Sequence, residues 1–331
     1  MTDFPSDRRF LQHAGVQCPI IGGPMYPCSN PELVAAISNA GALGVIQPLS
    51  LTYVYGYEFK EGLAYIQSLT SQPVAMNALI EKSSKRYLRT MQQWVDIALQ
   101  QGIRFFITSL GKPDWVVKAA HEAGGVVYHD ATEAKWAKKG VDCGVDGLIA
   151  VNQRAGGHAG DRSAVHLFDE LQGFGLPVVC AGGIASRDKY QAALQLGYSA
   201  VQMGTAFIAT PECSASQAYK QAILAAQEDD IILTQKMTGV SVSIIKPAHQ
   251  SDKAVTFGPI FSRLLHLKWS KHWMRFFLFL RSMRRLKKMI NEKTNDSELW
   301  QAGKSAADVN TIRPVAKIVA ELCASDVSTK G

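Results

Sequence analysis

One histidine lies within a glycine-rich turn, and its residue type suits it to moving protons. His158 stands in the segment Ala155-Gly-Gly-His-Ala-Gly160, shortly after the apolar run Gly147–Val151. The free pKa of imidazole is about 6.5, near the pH at which most enzymes work, so the ring can accept and return a proton. A lone loop histidine can instead be held by backbone groups, so the neighbouring segments must decide between these two interpretations.

Two more glycine turns follow, and they indicate a phosphate-bearing cofactor. Ala181-Gly-Gly-Ile184 and Met203-Gly-Thr205 each stand at the end of a short apolar run. Such runs are typical of parallel strands buried on both faces, which bind their ligands at the carboxyl ends. Because consecutive backbone N–H groups can converge on an anion, we interpret these turns as a phosphate site, with His158 facing the reactive part of the cofactor.

Strand-like and helical segments alternate along most of the chain, as in a parallel α/β fold. Strands are predicted at residues 18–24, Ala42–Gln47, Val74–Leu79, Arg104–Ser109, Val126–His129, Leu148–Val151, Pro177–Cys180 and Ala200–Met203. Helices are predicted at Pro31–Ala40, Gly62–Leu69, Ser84–Gln101, Asp114–Ala123, Thr132–Cys143, Ser186–Leu196 and Ser214–Gln227. This rhythm favours a closed (β/α)8 TIM barrel, for which ~250 residues are typical, over an open doubly wound sheet.

The rhythm changes after about residue 229, where a C-terminal helical lid or appendage is predicted. We expect three parts: residues 1–228 as the barrel with the cofactor site, 229–300 as a helical insertion or lid, and 301–331 with a helix that returns to the barrel. Residues 234–258 are predicted as loop, and Asp308–Leu322 as the final helix.

Positive charge is concentrated in one segment of the chain. The net charge is +7, and residues 253–291 contain ten Lys or Arg and no Asp or Glu. Residues 260–290 are predicted as a basic amphipathic helix that packs on the barrel, lies on an anionic membrane surface, or binds an acyl carrier protein. Packing on the barrel is favoured. No recognition motif for nucleic acid accompanies the segment, so nucleic acid is not an expected partner.

The composition indicates a globular protein, with 47% hydrophobic and 19% charged residues. The polar start and the lack of a long apolar run predict neither a secretory leader nor a membrane-spanning helix. Six cysteines without a Cys-x-x-Cys pair suit a reducing compartment and predict neither a disulfide framework nor a zinc site. We therefore expect a cytoplasmic protein without a metal.

Six short motifs stand in a characteristic order and spacing. They are Pro19-Ile-Ile-Gly-Gly-Pro24-Met25, Met76-Asn77, Ser109-Leu-Gly111-Lys-Pro113, Ala155-Gly-Gly-His158, Ala181-Gly-Gly-Ile184 and Met203-Gly-Thr205. Together they resemble the nitronate monooxygenase family, formerly called 2-nitropropane dioxygenases, a group of FMN-dependent barrel flavoproteins that also includes quinone reductases and enoyl-carrier-protein reductases. The likeness covers roughly residues 15–240 and resumes at Trp300-Gln-Ala-Gly303.

The resemblance implies a role for each matching residue. The FMN phosphate would be bound by Gly182, Gly183, Gly204 and Thr205. The isoalloxazine ring would be flanked by Pro24, Met25 and Asn77, while Ser109, Gly111 and Gly157 would lie beside the cofactor. His158 would be the catalytic base or the group that orients the substrate.

Two departures from the family pattern stand just before the first glycine turn. Arg154 replaces an acidic residue that family members commonly carry, and Val151 and Asn152 stand where Gln-Gly is common. A cation at this place would favour an anionic substrate, such as a nitronate or a phosphopantetheine. Equally, Arg154 could pair with Asp161 or Asp130.

Four further residues have two interpretations each. His129 and Asp130, at the end of the fifth strand, either face the cofactor rim or form a turn and helix cap into Thr132. Cys28 and Cys180 lie near strand ends, but no base is paired with them in the sequence. For these cysteines we favour packing over a nucleophilic role.

The resemblance predicts an FMN-dependent oxidoreductase that oxidises alkyl nitronates with O2, with nitroalkanes left open as substrates. The alternative is an NAD(P)H-dependent FMN reductase of the same superfamily, acting on a quinone or an enoyl thioester. A third class is a catalytically silent flavin-binding protein or a membrane-docked scaffold. The expected partners are a small-molecule nitronate and O2, and a homodimer is left open.

Overall fold

A closed barrel of eight parallel strands forms the centre of the computed structural model, which describes residues 6–81, 84–234, 241–246 and 300–324. The first strand pairs with the eighth, which closes the sheet. The strands are β1 Ile20–Gly22, β2 Leu43–Ile46, β3 Val74–Ile80, β4 Phe105–Leu110, β5 Val126–Ala131, β6 Gly147–Val151, β7 Val178–Ala181 and β8 Ala200–Met203. The predicted barrel is confirmed, and the open sheet is excluded.

Helices connect the strands on the outside of the barrel. They are α1 Arg9–Ala14, α2 Pro31–Asn39, α3 Phe59–Leu69, α4 Lys85–Gln100, α5 Asp114–Glu122, α6 Ala134–Val141, α7 Ala164–Leu171, α8 Arg187–Leu196, α9 Thr205–Ile208 and α10 Gln217–Ala225. No helix was predicted at α1, α7 or α9. A cue for α7 was present in the sequence, because the Ser163 hydroxyl caps the helix by accepting the N–H of His166.

Side chains alternate between the inside and the outside of the barrel, and the two sets pack separately. The inward set includes Ile21, Val45, Ile107 and Ile149. The outward set packs against the helices. The ring of Phe10 in α1 joins the inward set, with its centroid 6.0 Å from those of Phe105 and Tyr128. Helix α1 therefore closes the amino-terminal end of the barrel and leaves the carboxyl end for a ligand.

A two-stranded antiparallel sheet follows the barrel. It consists of β9 Ile231–Thr234 and β10 Val242–Ile245, so the loop predicted for residues 234–258 is wrong at β10. The sequence Val-Ser-Ile-Ile is rich in β-branched residues, which favour strands. Helix α11, Val315–Cys323, packs against α2 and α8. It begins later than predicted because Pro314 lacks an N–H and restricts the residue before it.

The segment with the strongest positive charge, residues 260–290, lies outside the described residues. Its predicted helix, its role as a lid, and the domain boundaries at residues 228 and 300 therefore stay predictions. Within the part of the chain that the structure describes, no helix combines the length and the apolar character needed to cross a membrane.

We expect Gly44→Ala to destabilise the barrel, because β2 passes directly against α2. A Cβ at Gly44 would lie 2.2 Å from the carbonyl oxygen of Val34 and 2.8 Å from the hydroxyl of Ser38. Overpacking costs typically about 1–3 kcal/mol, and a backbone oxygen can give way less than a side chain, so we expect a loss near or above 3 kcal/mol. Urea unfolding measures the difference.

The matched control is Gly173→Ala, since a Cβ at Gly173 has no atom within 4 Å. It should unfold at the same urea concentration as the parent protein. Equal midpoints for Gly44→Ala and Gly173→Ala would contradict the close contact between β2 and α2.

Candidate active site

Polar side chains face the interior of the barrel at its carboxyl end. Ala75, Ile107, Tyr128 and Ala200 belong to the inward core. Because side chains alternate along a strand, the residues two positions later also point inward, and they lie one layer nearer the carboxyl end. These residues are Asn77, Ser109, Asp130 and Gln202. The apolar core thus ends in a layer of hydrogen-bonding groups.

Three oxygen atoms in this polar layer are buried without a protein partner. They are Oδ1 of Asn77, Oδ1 of Asp130 and Oε1 of Gln202. A buried polar atom without a hydrogen bond costs free energy, and native proteins satisfy nearly all such atoms. Three of them on inward-facing positions indicate a place where a polar ligand supplies the partners. Gln202 was missed by sequence reasoning, although it stands two residues before Gly204.

The turn after β7 has a conformation that requires glycine. Gly182 and Gly183 have φ of +121° and +82°, in the left-handed region where a Cβ is strained. A Cβ at Gly182 would also lie 2.5 Å from the backbone nitrogen of Ala155. Asn152 stabilises the turn, because its Nδ2 donates to the Gly182 oxygen at 3.1 Å while its Oδ1 accepts the Arg154 N–H at 2.8 Å. Successive N–H groups in such a turn can converge on an anion.

The turn after β8 lies beside the one after β7, since the two strands are paired. Thr205 is buried, and its Oγ1 accepts the N–H of Gly303 at 2.9 Å. That bond leaves the hydroxyl hydrogen of Thr205 available to a ligand. The Met25 sulfur would lie 3.3 Å from a Cβ on Gly204, which places the loop after β1 against this turn.

The predicted cofactor residues all lie at the carboxyl end of the barrel. Most of them lie at or beyond the end of a strand: β1 (Pro24, Met25), β4 (Ser109), β6 (Gly157), β7 (Gly182, Gly183) and β8 (Gly204, Thr205). Asn77 lies within β3 and points inward. The fold therefore brings together segments that are up to 181 residues apart in the chain (205 − 24 = 181). Their roles toward a cofactor stay predictions.

The loop that carries His158 is held between the barrel and the chain that follows it. The Gly157 oxygen accepts the N–H of Ser243 in β10 at 2.8 Å. On the other side, a Cβ at Gly156 would lie 3.0 Å from the nitrogen of Gly303. The segment Trp300–Gly303 is itself fixed by β10, because the Ile245 N–H donates to the Trp300 oxygen at 2.8 Å. The tail motif thus positions the loop, a role that sequence reasoning did not assign to it.

The side chain of His158 is exposed at the surface of the loop after β6. Desolvation by the surrounding protein lowers the pKa of His158 below its ordinary value. The imidazole is therefore mainly neutral at pH 7 and can accept a proton. Neutrality is the state required of a base.

Arg154 forms a bidentate ion pair with Glu228. The two hydrogen bonds measure 2.5 and 2.7 Å, and the bonds from Arg154 hold the pKa of the Glu228 carboxyl below its usual range. The predicted partners of Arg154 are therefore wrong, and Asp161 contacts Arg162 instead, at 3.7 Å. Lys304 also contacts Glu228, at 3.6 Å, so the carboxylate compensates part of the charge of both cations and reduces the preference of Arg154 for an anion. Glu228 lies 74 residues from Arg154 in the sequence, and no sequence motif indicated that the two residues pair.

His129 and Asp130 point to opposite sides of β5. The buried His129 ring packs outward against α6, 2.8 Å from the Thr108 hydroxyl, so its predicted place at the rim is wrong. Burial, and then the charge of Lys139, lowers its pKa to about 4. Neither residue caps α6, which begins at Ala134 after Glu133. Asp130 faces the mouth, where burial raises its pKa to about 7.

The cysteines near the strand ends are packing residues. Cys28 and Cys180 are buried in the outer core, and burial raises the pKa of the Cys180 thiol to about 12. A thiol with such a pKa is a poor nucleophile near pH 7. All six cysteines are free. Over the described ranges, no three His, Cys, Asp or Glu side chains are grouped so that they could hold a metal ion.

Comparison with known proteins gives a match over almost the whole chain. The sequence model of a family described as nitronate monooxygenase matches residues 8–325. A probable nitronate monooxygenase of Staphylococcus saprophyticus is 30% identical over 270 residues, which cover 68% of this chain and 74% of that protein. A nitronate monooxygenase of Pseudomonas aeruginosa is 31% identical over 279 residues, which cover 70% of this chain and 78% of that protein.

One similar protein has a different described activity. It is the (3aS,4S,5R,7aS)-5-hydroxy-7a-methyl-1-oxo-octahydro-1H-indene-4-carboxyl-CoA dehydrogenase of Rhodococcus jostii, 29% identical over 227 residues. The match covers 68% of this chain but only 62% of that protein.

Solved structures show the same fold. FabK from Thermotoga maritima superposes with a TM-score of 0.76 at 23% identity, over 96% of this chain and 94% of FabK. A nitroalkane oxidase from Streptomyces ansochromogenes superposes with a TM-score of 0.73 at 21% identity, over 95% of this chain and 96% of the oxidase.

We expect Asp130→Asn to stabilise the flavin-free protein at pH 8 but not at pH 4. The folded-state pKa is about 7 against 3.8 for the ordinary group, so the folded state binds more protons between these values and loses stability as pH rises. Asparagine removes this penalty, which is about 4 kcal/mol at most. Urea unfolding at both pH values measures it, with Asp96→Asn, exposed on α4, as the control. An equal effect at both pH values would contradict the raised pKa.

Proposed function

Because the chain belongs to the nitronate monooxygenase family of flavin-dependent oxidoreductases, we propose that it binds FMN at the carboxyl end of the barrel and oxidises alkyl nitronates with O2. The observation that carries this proposal is the combination of a glycine turn suited to an anion and three unpartnered buried oxygens across the same mouth. A phosphate joined to a polar ring system matches both features.

The residues of the mouth fit such a group. The FMN phosphate would be bound by backbone N–H groups of Gly182, Gly183 and Gly204 and by the hydroxyl of Thr205. These amides belong to rigid turns, so they need little reorganisation to meet a dianion. The side chain of Asn77 can both donate and accept hydrogen bonds at the edge of the ring.

The strand order suits a cofactor that lies across the mouth. In the closed barrel, β3 and β4 lie opposite β7 and β8. A molecule anchored by its phosphate at β7 and β8 would extend toward Asn77 and Ser109, with Pro24 and Met25 at its flank. When bound, FMN supplies a two-electron acceptor that O2 can reoxidise.

His158 would act on the substrate from the loop after β6. Its neutral imidazole would take the α-proton of a nitroalkane, or would orient a nitronate that is already an anion. Ser243 and Gly303 contact the backbone of Gly157 and Gly156 next to His158, so the loop itself needs little ordering when the substrate reacts.

The runner-up is an NAD(P)H-dependent FMN reductase of the same superfamily. The relative named as a carboxyl-CoA dehydrogenase supports it, since that protein acts on a CoA thioester by its name. The pairing of Arg154 with Glu228 weakens the argument that Arg154 attracts a phosphopantetheine. Contact with a carrier protein or a membrane through residues 260–290, and a homodimer, stay predictions.

The purified protein should be yellow, and its flavin should be reduced by a nitronate. In anaerobic stopped flow, we expect rapid loss of oxidised-flavin absorbance with propionate 3-nitronate or ethylnitronate, and none with NADH or NADPH. Reduction by a nicotinamide alone would establish the runner-up instead. Flavin that neither compound reduces would indicate a silent flavin-binding protein.

His158→Ala should keep FMN but lose turnover of neutral nitroalkanes. A general base contributes about 10²- to 10⁴-fold, so kcat with nitroethane should fall at least about 100-fold. Turnover of a preformed nitronate should fall less, because it needs no proton removal. His166→Ala, exposed on α7, is the control and should retain activity. Unchanged nitroethane turnover in His158→Ala would remove the imidazole from the mechanism.

A further inference from the structure

Asp130 is one of the three residues with an unpartnered buried oxygen in the mouth, and the proposed function names no specific partner for it. It is the residue before the last in β5, one strand from Ser109 on β4 and next to β6, where it is in register with Ile149. Its side chain points inward, above the Tyr128 ring of the core. One of its oxygens, Oδ1, is buried and has no partner in the protein.

The loop that carries His158 folds back over this corner of the barrel. A Cβ at Gly160 would lie 2.6 Å from the Val151 oxygen at the end of β6 and 3.1 Å from the Cβ of Thr132, just after β5. The loop therefore leaves β6 and returns across the ends of both strands. This brings His158 and Asp130 to the same side of the mouth.

The groups around Asp130 do not compensate its charge. The inward residues of the neighbouring strands, among them Ser109 and Ile149, cannot ionise. Desolvation lowers the pKa of His158, and Arg154 and Lys304 both contact Glu228. Lys112, which follows β4, is exposed, and Lys139 of α6 acts on His129 at the outer face. Burial is accordingly the sole cause of the raised pKa of Asp130.

We propose that Asp130 is a substrate-facing residue that selects substrates by charge: its protonated carboxyl donates a hydrogen bond to an anionic nitronate, and its ionised form repels that anion. The inference rests on the proposed function, because it requires the flavin to lie in the mouth and the substrate beside His158.

The electrostatics predict how this selection changes with pH. A neutral carboxylic acid can donate through its O–H, whereas a carboxylate can only accept. An ionised Asp130 next to an anion would place two like charges together in a site that water screens poorly. Affinity for an anion should thus fall as pH rises through the pKa of about 7, and affinity for a neutral nitroalkane should not.

The experiment uses the FMN-loaded protein and inorganic nitrate, a planar anion that resembles the nitro end of a nitronate and does not turn over. Isothermal titration calorimetry between pH 6.5 and pH 9 measures its Kd. Nitrate stays an anion throughout, and His158 stays mainly neutral because its pKa is lowered. We expect the Kd to rise about tenfold or more across this range, since one pKa unit of interaction corresponds to about tenfold.

Two variants assign the pH dependence to one residue. Asp130→Asn keeps the shape and a donor but cannot ionise, so its Kd for nitrate should stay within about twofold of the value of the parent protein at pH 6.5. Asp96→Asn, exposed on α4, should keep the full rise. FMN content and far-ultraviolet circular dichroism confirm that both variants are folded and loaded.

Each outcome decides the inference. A flat profile in Asp130→Asn with a rise in the parent and in Asp96→Asn supports it. The same rise in all three proteins, a flat profile in the parent, or no nitrate binding at pH 6.5 overturns it while the flavin remains bound. Failure of the parent protein to take up FMN is a separate result, which overturns the proposed function and the inference with it.

Discussion

The alternation of side chains along eight closed strands is the constraint on which the active site depends. Because successive residues point to opposite faces, each strand gives one set of side chains to the helices and one to the barrel interior. Apolar residues fill the interior toward the amino-terminal end of the barrel. Asn77, Asp130 and Gln202 follow them at the carboxyl end. The same rule sends His129 outward against α6. A shift of one residue in β5 would exchange the two roles.

A second constraint is the attachment of the reactive loop to the chain beyond the barrel. The barrel strands fix the two ends of each loop, but they do not fix the middle of the loop. The tip that carries His158 is held by Ser243 of β10 and by the segment ending in Gly303, and Gly303 also contacts Thr205 at the turn after β8. The loop after β6 and the turn after β8 therefore share a support in Gly303.

Two groups in the mouth favour their uncharged forms, because desolvation lowers the pKa of His158 and burial raises the pKa of Asp130. Arg154 and Lys304 both contact Glu228, which compensates part of their charge. Such an environment distinguishes ligands by hydrogen bonds and by the cost of desolvation, which depend on the exact pairing of atoms.

The sequence by itself determined the fold class, the order of the strands and the three glycine turns, because these depend on local periodicity and on the backbone freedom of glycine. Pairing between distant residues was decided by the tertiary structure. Four features join segments that are far apart in the chain. They are the pairing of Arg154 with Glu228, the opposite orientations of His129 and Asp130, the packing of Phe10 at the amino-terminal end of the barrel, and the contact of the His158 loop with β10. Such contacts leave no local pattern, since their energy arises only when the barrel closes and brings both partners to one place.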